Sequence, residues 1–382
     1  MRAVISKCAC LIFSQLITLL LLLAVVGGVQ ARAADSTGGD GDGTTFQSPT
    51  AAAPDPIHHY LQFLNAEAGF RYVYQDLNAG QVVERDLSYR LTTTMKLNLT
   101  SSGATYVQMR SENGPGFNSG FQSTGLGSPG SFSMNVKSLF VGQRFGSHVE
   151  AQAGGIEFDR GSGTDATYAA GEGWLTGYRL MVNKLRSSWG PDRFGVTVGF
   201  VGDFTKPNFF SRSERLGDAN YVQALADKRI TERLDASAEM DRLSGFQFTR
   251  EAVNFSGQRS RILDKATLEC VGRVSNGASF GWATAFSNTL DSKDRWHPGF
   301  IYSQIPDQLF LDNRTRQQAL LNAGDFGLGK HAAATLRVTP VRNLEIGLLA
   351  SHRLGTDPTG HRWRGNIHVS YQFAGLLNHL AR

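Results

Sequence analysis

The sequence predicts an all-β fold, a transmembrane antiparallel up-and-down barrel of about fourteen strands, with sixteen as the alternative. Three observations carry this expectation. Segments of about ten residues alternate apolar with polar side chains, the period of a strand with one greasy and one wet face. The polar face is charged on nearly every such segment. Tight connections alternate with long ones along the chain, as they do in barrels that cross a bilayer. Composition agrees. With 382 residues, 43 Gly, only 11 Pro and 41% hydrophobic side chains, the chain is neither collagen-like nor a disordered tail. Its length suits one large all-β unit.

The N-terminal elements come first. Arg2 and Lys7 precede an apolar run from Leu11 to Val26, and small residues then lead to Ala31-Arg32-Ala33. This is the pattern of a cleaved secretory signal over residues 1–33. Its removal takes away three cations and no anion, which lowers the formal charge of +5 to about +2. No concentrated basic stripe remains, so nucleic acid is not an expected partner. Cys8 and Cys10 leave with the signal, and Cys270 alone cannot form an internal disulfide. Residues 34–66 are a polar, Gly-rich leader, with a helical turn or two expected over Ile57–Leu64. His58 and His59 stand side by side there, without the further spaced ligands a metal site needs.

The barrel is expected over 67–373. Tyr89, Leu91, Met95, Leu97 and Leu99 alternate with Arg90, Thr92, Thr94, Lys96 and Asn98. The pattern recurs around Phe70–Tyr74, Val149–Ala153, Phe194–Phe200, Leu234–Met240, Ala266–Cys270 and Ile367–Phe373. Tight links are expected at Thr100–Gly103, Phe145–Ser147, Ser187–Asp192, Lys228–Glu232, Val274–Ala278 and Thr339–Asn343. Longer loops are expected at 77–86, 112–132, 159–173, 205–219, 243–261, 291–328 and 355–362. That parity gives fourteen strands with both termini on one rim. The competing count turns on Phe246–Arg250: if it is a strand, a partner must lie within 297–312, and the barrel has sixteen.

On this assignment the inner face carries Arg71, Arg90, Lys96, Arg110, Glu150, Arg179, Asp235, Glu239, Lys265, Glu269, Arg273, Arg337, Glu345 and Arg364. A mixed-charge interior needs water or dense pairing. More than eight strands enclose more space than side chains fill, which points to a water-filled pore with a mild anion preference. Tyr89, Trp174, Phe194, Trp282, Trp363, Tyr371 and Phe373 are expected to form aromatic girdles. Cys270 falls on the apolar face as an inert hydrophobe. Trp296, His297, Phe300 and Tyr302, with Arg314 and Arg316, are read as residues of a long loop. Asp159–Asp165 lacks calcium-loop spacing.

The chain resembles Gram-negative outer-membrane β-barrels of the porin type. Phe70-Arg71-Tyr72-Val73-Tyr74, Tyr89-Arg90-Leu91 and Tyr106-Val107-Gln108-Met109-Arg110 are similar to the opening strands of alginate-export-like barrels. Val369-Ser370-Tyr371-Gln372-Phe373 resembles the aromatic-terminated strand that barrel-assembly machinery reads, although the nine residues 374–382 follow it as a tail. The resemblance implies an outer-membrane location, lipid contact and passive passage of small hydrophilic solutes, anionic or saccharide ones among them. It implies no cofactor. A scaffold or adhesion barrel is the second reading. A lipid-modifying enzyme is the third, but His368 and Ser370 belong to the inner face and His352 has no evident nucleophile beside it. Oligomeric state is not legible in one chain.

Overall fold

The computed structural model describes residues 60–77, 82–114, 121–124, 134–164, 167, 174–183, 190–202, 206–257, 263–275, 277–288, 296–306, 309, 329–355 and 361–380. The expected signal over 1–33, residues 34–59 of the expected leader with His58 and His59, and Arg314 and Arg316 lie outside these residues.

In chain order the strands are β1 (Leu61–Leu77), β2 (Val82–Asn98), β3 (Thr105–Glu112), β4 (Gln122–Ser123), β5 (Asn135–Phe145), β6 (Val149–Glu157), β7 (Trp174–Asn183) and β8 (Arg193–Phe200). There follow β9 (Tyr221–Thr231), β10 (Leu234–Leu243), β11 (Phe246–Ser256), β12 (Lys265–Arg273), β13 (Ser279–Ser287), β14 (Trp296–Ile305), β15 (Gly329–Val341), β16 (Leu344–Arg353) and β17 (His361–Gln372). A short helix, α1 (Ala374–Leu380), ends the described chain. The two-residue β4 pairs only with Ser88 and Tyr89 of β2, inside the connection from β3 to β5. The other sixteen strands form the wall. Each pairs antiparallel with its neighbour, and β1 pairs with β17 from Glu67–Gln372 to Asp76–Trp363, which closes the sheet. Closure leaves no long edge of unpaired N–H and C=O groups.

Alternation sorts the side chains. Phe70, Val141, Tyr178, Val198, Met240, Phe255, Leu268, Leu348 and Ile367 are exposed on the outside. Their polar neighbours one residue along the strand, such as Thr197, Asp241, Asn254, Glu269 and Asn366, are buried on the inside. Cys270 keeps the outward alternation, opposite Trp282 of β13, but is buried rather than lipid-exposed.

The wall has sixteen strands, the alternative count, rather than fourteen, and the two added strands lie in stretches expected to be loops. The expected loop 243–261 contains β11, and the expected loop 291–328 contains β14. Trp296, His297, Phe300 and Tyr302 are therefore wall residues. The β10–β11 hairpin turns on Ser244 and Gly245 alone, with φ of 48° and 92°. Positive φ at both central residues is what a type I′ turn requires, and that turn matches the twist of the strands it joins. Because β11 reverses the chain, the 274–278 turn falls on the rim opposite the one expected. Short links thus occur on both rims.

The ends also depart from expectation. β1 starts at Leu61, where a helical turn and leader were expected, because Leu61 and Phe63 pair with Leu97 and Met95 on the apolar face of β2. The tail is not formless: α1 returns to β1. There the Asn378 side chain accepts from the Phe63 N–H (2.7 Å) and donates to the Phe63 carbonyl (2.8 Å). Two other asparagines act likewise where a strand stops short. Asn113 accepts from Leu91 N–H (2.6 Å) and donates to the Tyr89 carbonyl (3.2 Å). Asn220 makes the same pair of bonds to Val201 (2.8 and 3.0 Å).

Candidate functional site

The chain leaving β6 does not stay on the rim. Its described residues, 158–164 and Thr167, lie along the inner face of β8 to β12. Phe158 packs edge-on against Tyr221, with ring centroids 5.3 Å apart. Arg193 of β8 bridges Asp159 of the loop and Asp227 of β9, the latter at 2.9 Å. Gln223 donates to the Asp159 carbonyl at 2.9 Å, and the Ser162 N–H donates to Asp227 at 2.7 Å. Ser237 of β10 donates to the Ser162 carbonyl at 3.0 Å. Further on, the Thr167 N–H and hydroxyl both donate to Glu269 of β12, at 2.8 and 2.7 Å. Arg250 of β11 donates to the Thr167 hydroxyl (3.1 Å) and to Glu239 of β10 (2.8 Å).

This approach is close enough to demand glycine at two points. A β-carbon on Gly161 would come within 2.6 Å of the Ser237 side chain. At Gly163, which has a φ of +80°, it would overlap the Asn254 amide. A residue without a β-carbon is the one that lets backbone lie on a wall in this way. The composition Asp-Arg-Gly-Ser-Gly-Thr over 159–164 supplies small residues and hydrogen-bonding groups together, which an inward loop needs.

The opposite part of the inner face, from β15 through β17 to β3, carries a second set. Glu345 pairs with Arg337 and with His368, each at 3.3 Å. Arg90 pairs with Glu67, which also accepts from Gln372 at 2.9 Å. Phe121, next to β4, lies between the Arg71 and Arg90 guanidinium groups, 4.1 and 4.8 Å from its centroid. Farther toward the rim with the termini, Tyr106 donates to Glu150, and the Lys96 ammonium lies 4.2 Å from the Tyr106 ring. Arg144 pairs with Glu150 at 3.1 Å.

The remaining lining candidates are placed as follows. Arg110 pairs with Glu112 at 3.0 Å and sits over Trp174 at 5.0 Å. Arg179 donates to Thr197 (3.0 Å) and Gln152 (3.3 Å). Asp235 lies 3.5 Å from Arg229. Arg273 donates to the Ser275 carbonyl at 2.7 Å. Lys265 opens β12 and Arg364 stands opposite Ser351 in register, both half-buried.

The aromatic candidates divide. Trp282 packs on Tyr302 at 5.1 Å, and Trp363 stacks on His352 at 4.1 Å, both toward the rim away from the termini. Phe194, Tyr371 and Phe373 mark strand ends at the other rim, while Tyr89 stands mid-strand and donates to Gln122 at 3.3 Å. Trp174 departs from the girdle: it is fully buried under Arg110. His352 donates through Nδ1 to the Arg362 carbonyl at 3.0 Å.

A second folded connection, 206–218, packs across β5 and β7. Asn208 caps its first turn through the Phe210 N–H at 3.2 Å. Arg212 donates to the carbonyls of Lys137 (3.0 Å) and Trp174 (3.4 Å), and burial pushes its guanidinium down to about 10.

No protein-family model matches the sequence, and no curated relative matches it. Solved structures do resemble the fold. Salmonella typhi OmpF, in a complex with daunomycin, aligns with a TM-score of 0.54 at 11% identity, covering 83% of this chain and 98% of that one. A Rh. blastica porin variant aligns at 0.52 and 8% identity, covering 82% and 100%. At such identities the likeness is one of architecture. The chain has the closed, sixteen-stranded barrel of the porin type.

Proposed function

We propose that the chain is an outer-membrane channel for passive diffusion of small hydrophilic solutes, with a mild preference for anionic or saccharide ones. The carrying observation is that residues 158–164 and Thr167 are drawn onto the β8–β12 side while Arg337 on the β15–β2 side stays open to water. Arg337 is about half exposed on that inner face, with a side-chain exposure of 53%. The apolar outer wall supports bilayer insertion, since a closed barrel satisfies every backbone group without water. Among the described residues of the open side, the cations Arg71, Arg90, Arg337 and Arg364 outnumber Glu67, Asp86 and Glu345, which favours anions. β17, with Tyr371 and the following Phe373, is the strand offered to assembly machinery. The test is single-channel current from refolded protein in a planar bilayer under a salt gradient. Discrete steps with an anion-favouring reversal potential are expected. A folded, heat-modifiable barrel that passes no current would end the channel reading.

A further inference from the structure

We propose that α1 and the first turn of β1 form a lipid-seated anchor at the rim that holds both termini. The inference rests on the membrane-channel reading above. β1 overruns its partner: pairing with β17 begins at Glu67, so residues 61–66 have only β2 beside them. An uncovered edge of this kind is a liability in any sheet. The chain after β17 covers it. The Phe373 N–H donates to the Ala66 carbonyl at 2.8 Å, and Asn378 bonds both polar groups of Phe63. Ala66, on the outward alternation with Ala68 and Phe70, is fully buried there.

Fixing Asn378 against β1 turns the other side of the helix away from the barrel. Leu376 and Leu380, four residues apart and hence on one helical face, are 59% and 72% exposed. At the same rim Tyr60 just before β1, Leu61 and Leu64 on it, Leu97 on β2 and Leu99 just after it are also exposed. This apolar patch is continuous with the outer wall, through the Leu61–Leu97 register pair, so what covers the wall also covers the patch. Depth agrees. Strands of 17 residues, rising about 3.3 Å each at about 45° of tilt, span about 40 Å, against an apolar band of about 25 Å. β1 and β2 therefore outrun the hydrocarbon, and their ends reach the headgroup boundary, where short amphipathic helices lie in plane. The occupant is a phospholipid leaflet.

The test places a spin label at Leu380→Cys or Leu376→Cys in full-length protein carrying Cys8→Ala, Cys10→Ala and Cys270→Ala. The protein is refolded into phosphatidylethanolamine–phosphatidylglycerol vesicles, and relaxation by oxygen is compared with relaxation by a nickel chelate. Labels at Met240→Cys on the outer wall and Glu232→Cys in a tight turn serve as lipid and water references. Oxygen-to-nickel ratios severalfold above the Glu232 reference, approaching that of Met240, are expected at both leucines. A ratio equal to that at Glu232 overturns the anchor. So does shielding from both reagents, which would report a protein partner. A nickel-accessible Met240 label would instead sink the membrane reading itself.

Discussion

Two parts of one inner wall use the same residue types to different ends. On β8 to β12 the pair Arg250–Glu239 is sealed beside Thr167 of the inward segment, each side chain 1% exposed. On β15 to β2 the pair Arg337–Glu345 is wetter, with side chains 53% and 18% exposed, while Glu67 and Arg353 of that side are buried. Alternation delivers both sets to the interior, and the covering loop decides which becomes scaffold and which becomes lining. A buried, hydrogen-bonded pair holds structure in place, whereas a hydrated one contributes field but little stability.

The largest effect is expected from breaking the sealed side. Arg250→Met takes away the cation that Glu239 pairs with and removes a donor from Thr167, at a cost of about 3–5 kcal/mol. Urea titration of the detergent-refolded barrel reads this as a lowered midpoint. Loosening of the loop should also raise single-channel conductance. Gly163→Ala places a β-carbon into Asn254 at a positive φ, for about 1–3 kcal/mol, and should raise conductance in the same direction. At the seam, Asn378→Ala removes both bonds to Phe63 and should cost about 1–2 kcal/mol, read as a lowered urea midpoint, without changing conductance. On the wet side, Arg337→Gln should alter stability by at most about 1 kcal/mol. It should nevertheless move the reversal potential toward cations, most clearly at low salt, where charges are least screened. If Arg337→Gln destabilised the barrel as much as Arg250→Met, the distinction between the two sides would collapse.

Much of this was legible before any coordinates. Strands with clean alternation, such as β2 and β17, show their inner and outer faces directly. β14 hides: Phe300, Ile301 and Tyr302 are consecutive and bulky, because Ile301 looks inward toward the core while its neighbours look out. The other added strand, β11, hides for another reason, since a two-residue Ser-Gly turn on the long-loop rim breaks the alternation of short and long links. The inward loop was missed altogether. Its anchors are the Asp159 carboxylate, the Ser162 N–H and the Thr167 hydroxyl, and their partners Arg193, Asp227 and Arg250 come from distant strands. Gly161 and Gly163 flanking Ser162 were the available signal. Trp174 was assigned to the outer girdle on residue type, but a tryptophan beneath Arg110 satisfies a cation as readily as it meets a lipid headgroup.

The asparagines that finish incomplete strands have a chemical consequence. Asn113, Asn220 and Asn378 each work because one side-chain end donates and the other accepts, as a peptide unit does. Loss of ammonia from any of them would replace the donor with a second acceptor and set a carboxylate against a backbone carbonyl. Asn113 is followed by Gly114, the neighbour that least obstructs closure of the succinimide ring through which that loss proceeds. While folded, Asn113 is fully buried with both ends of its amide engaged. The barrel therefore guards its own seams against ageing, and a chain left waiting unfolded would accumulate the damage at the place where β2 needs its missing partner.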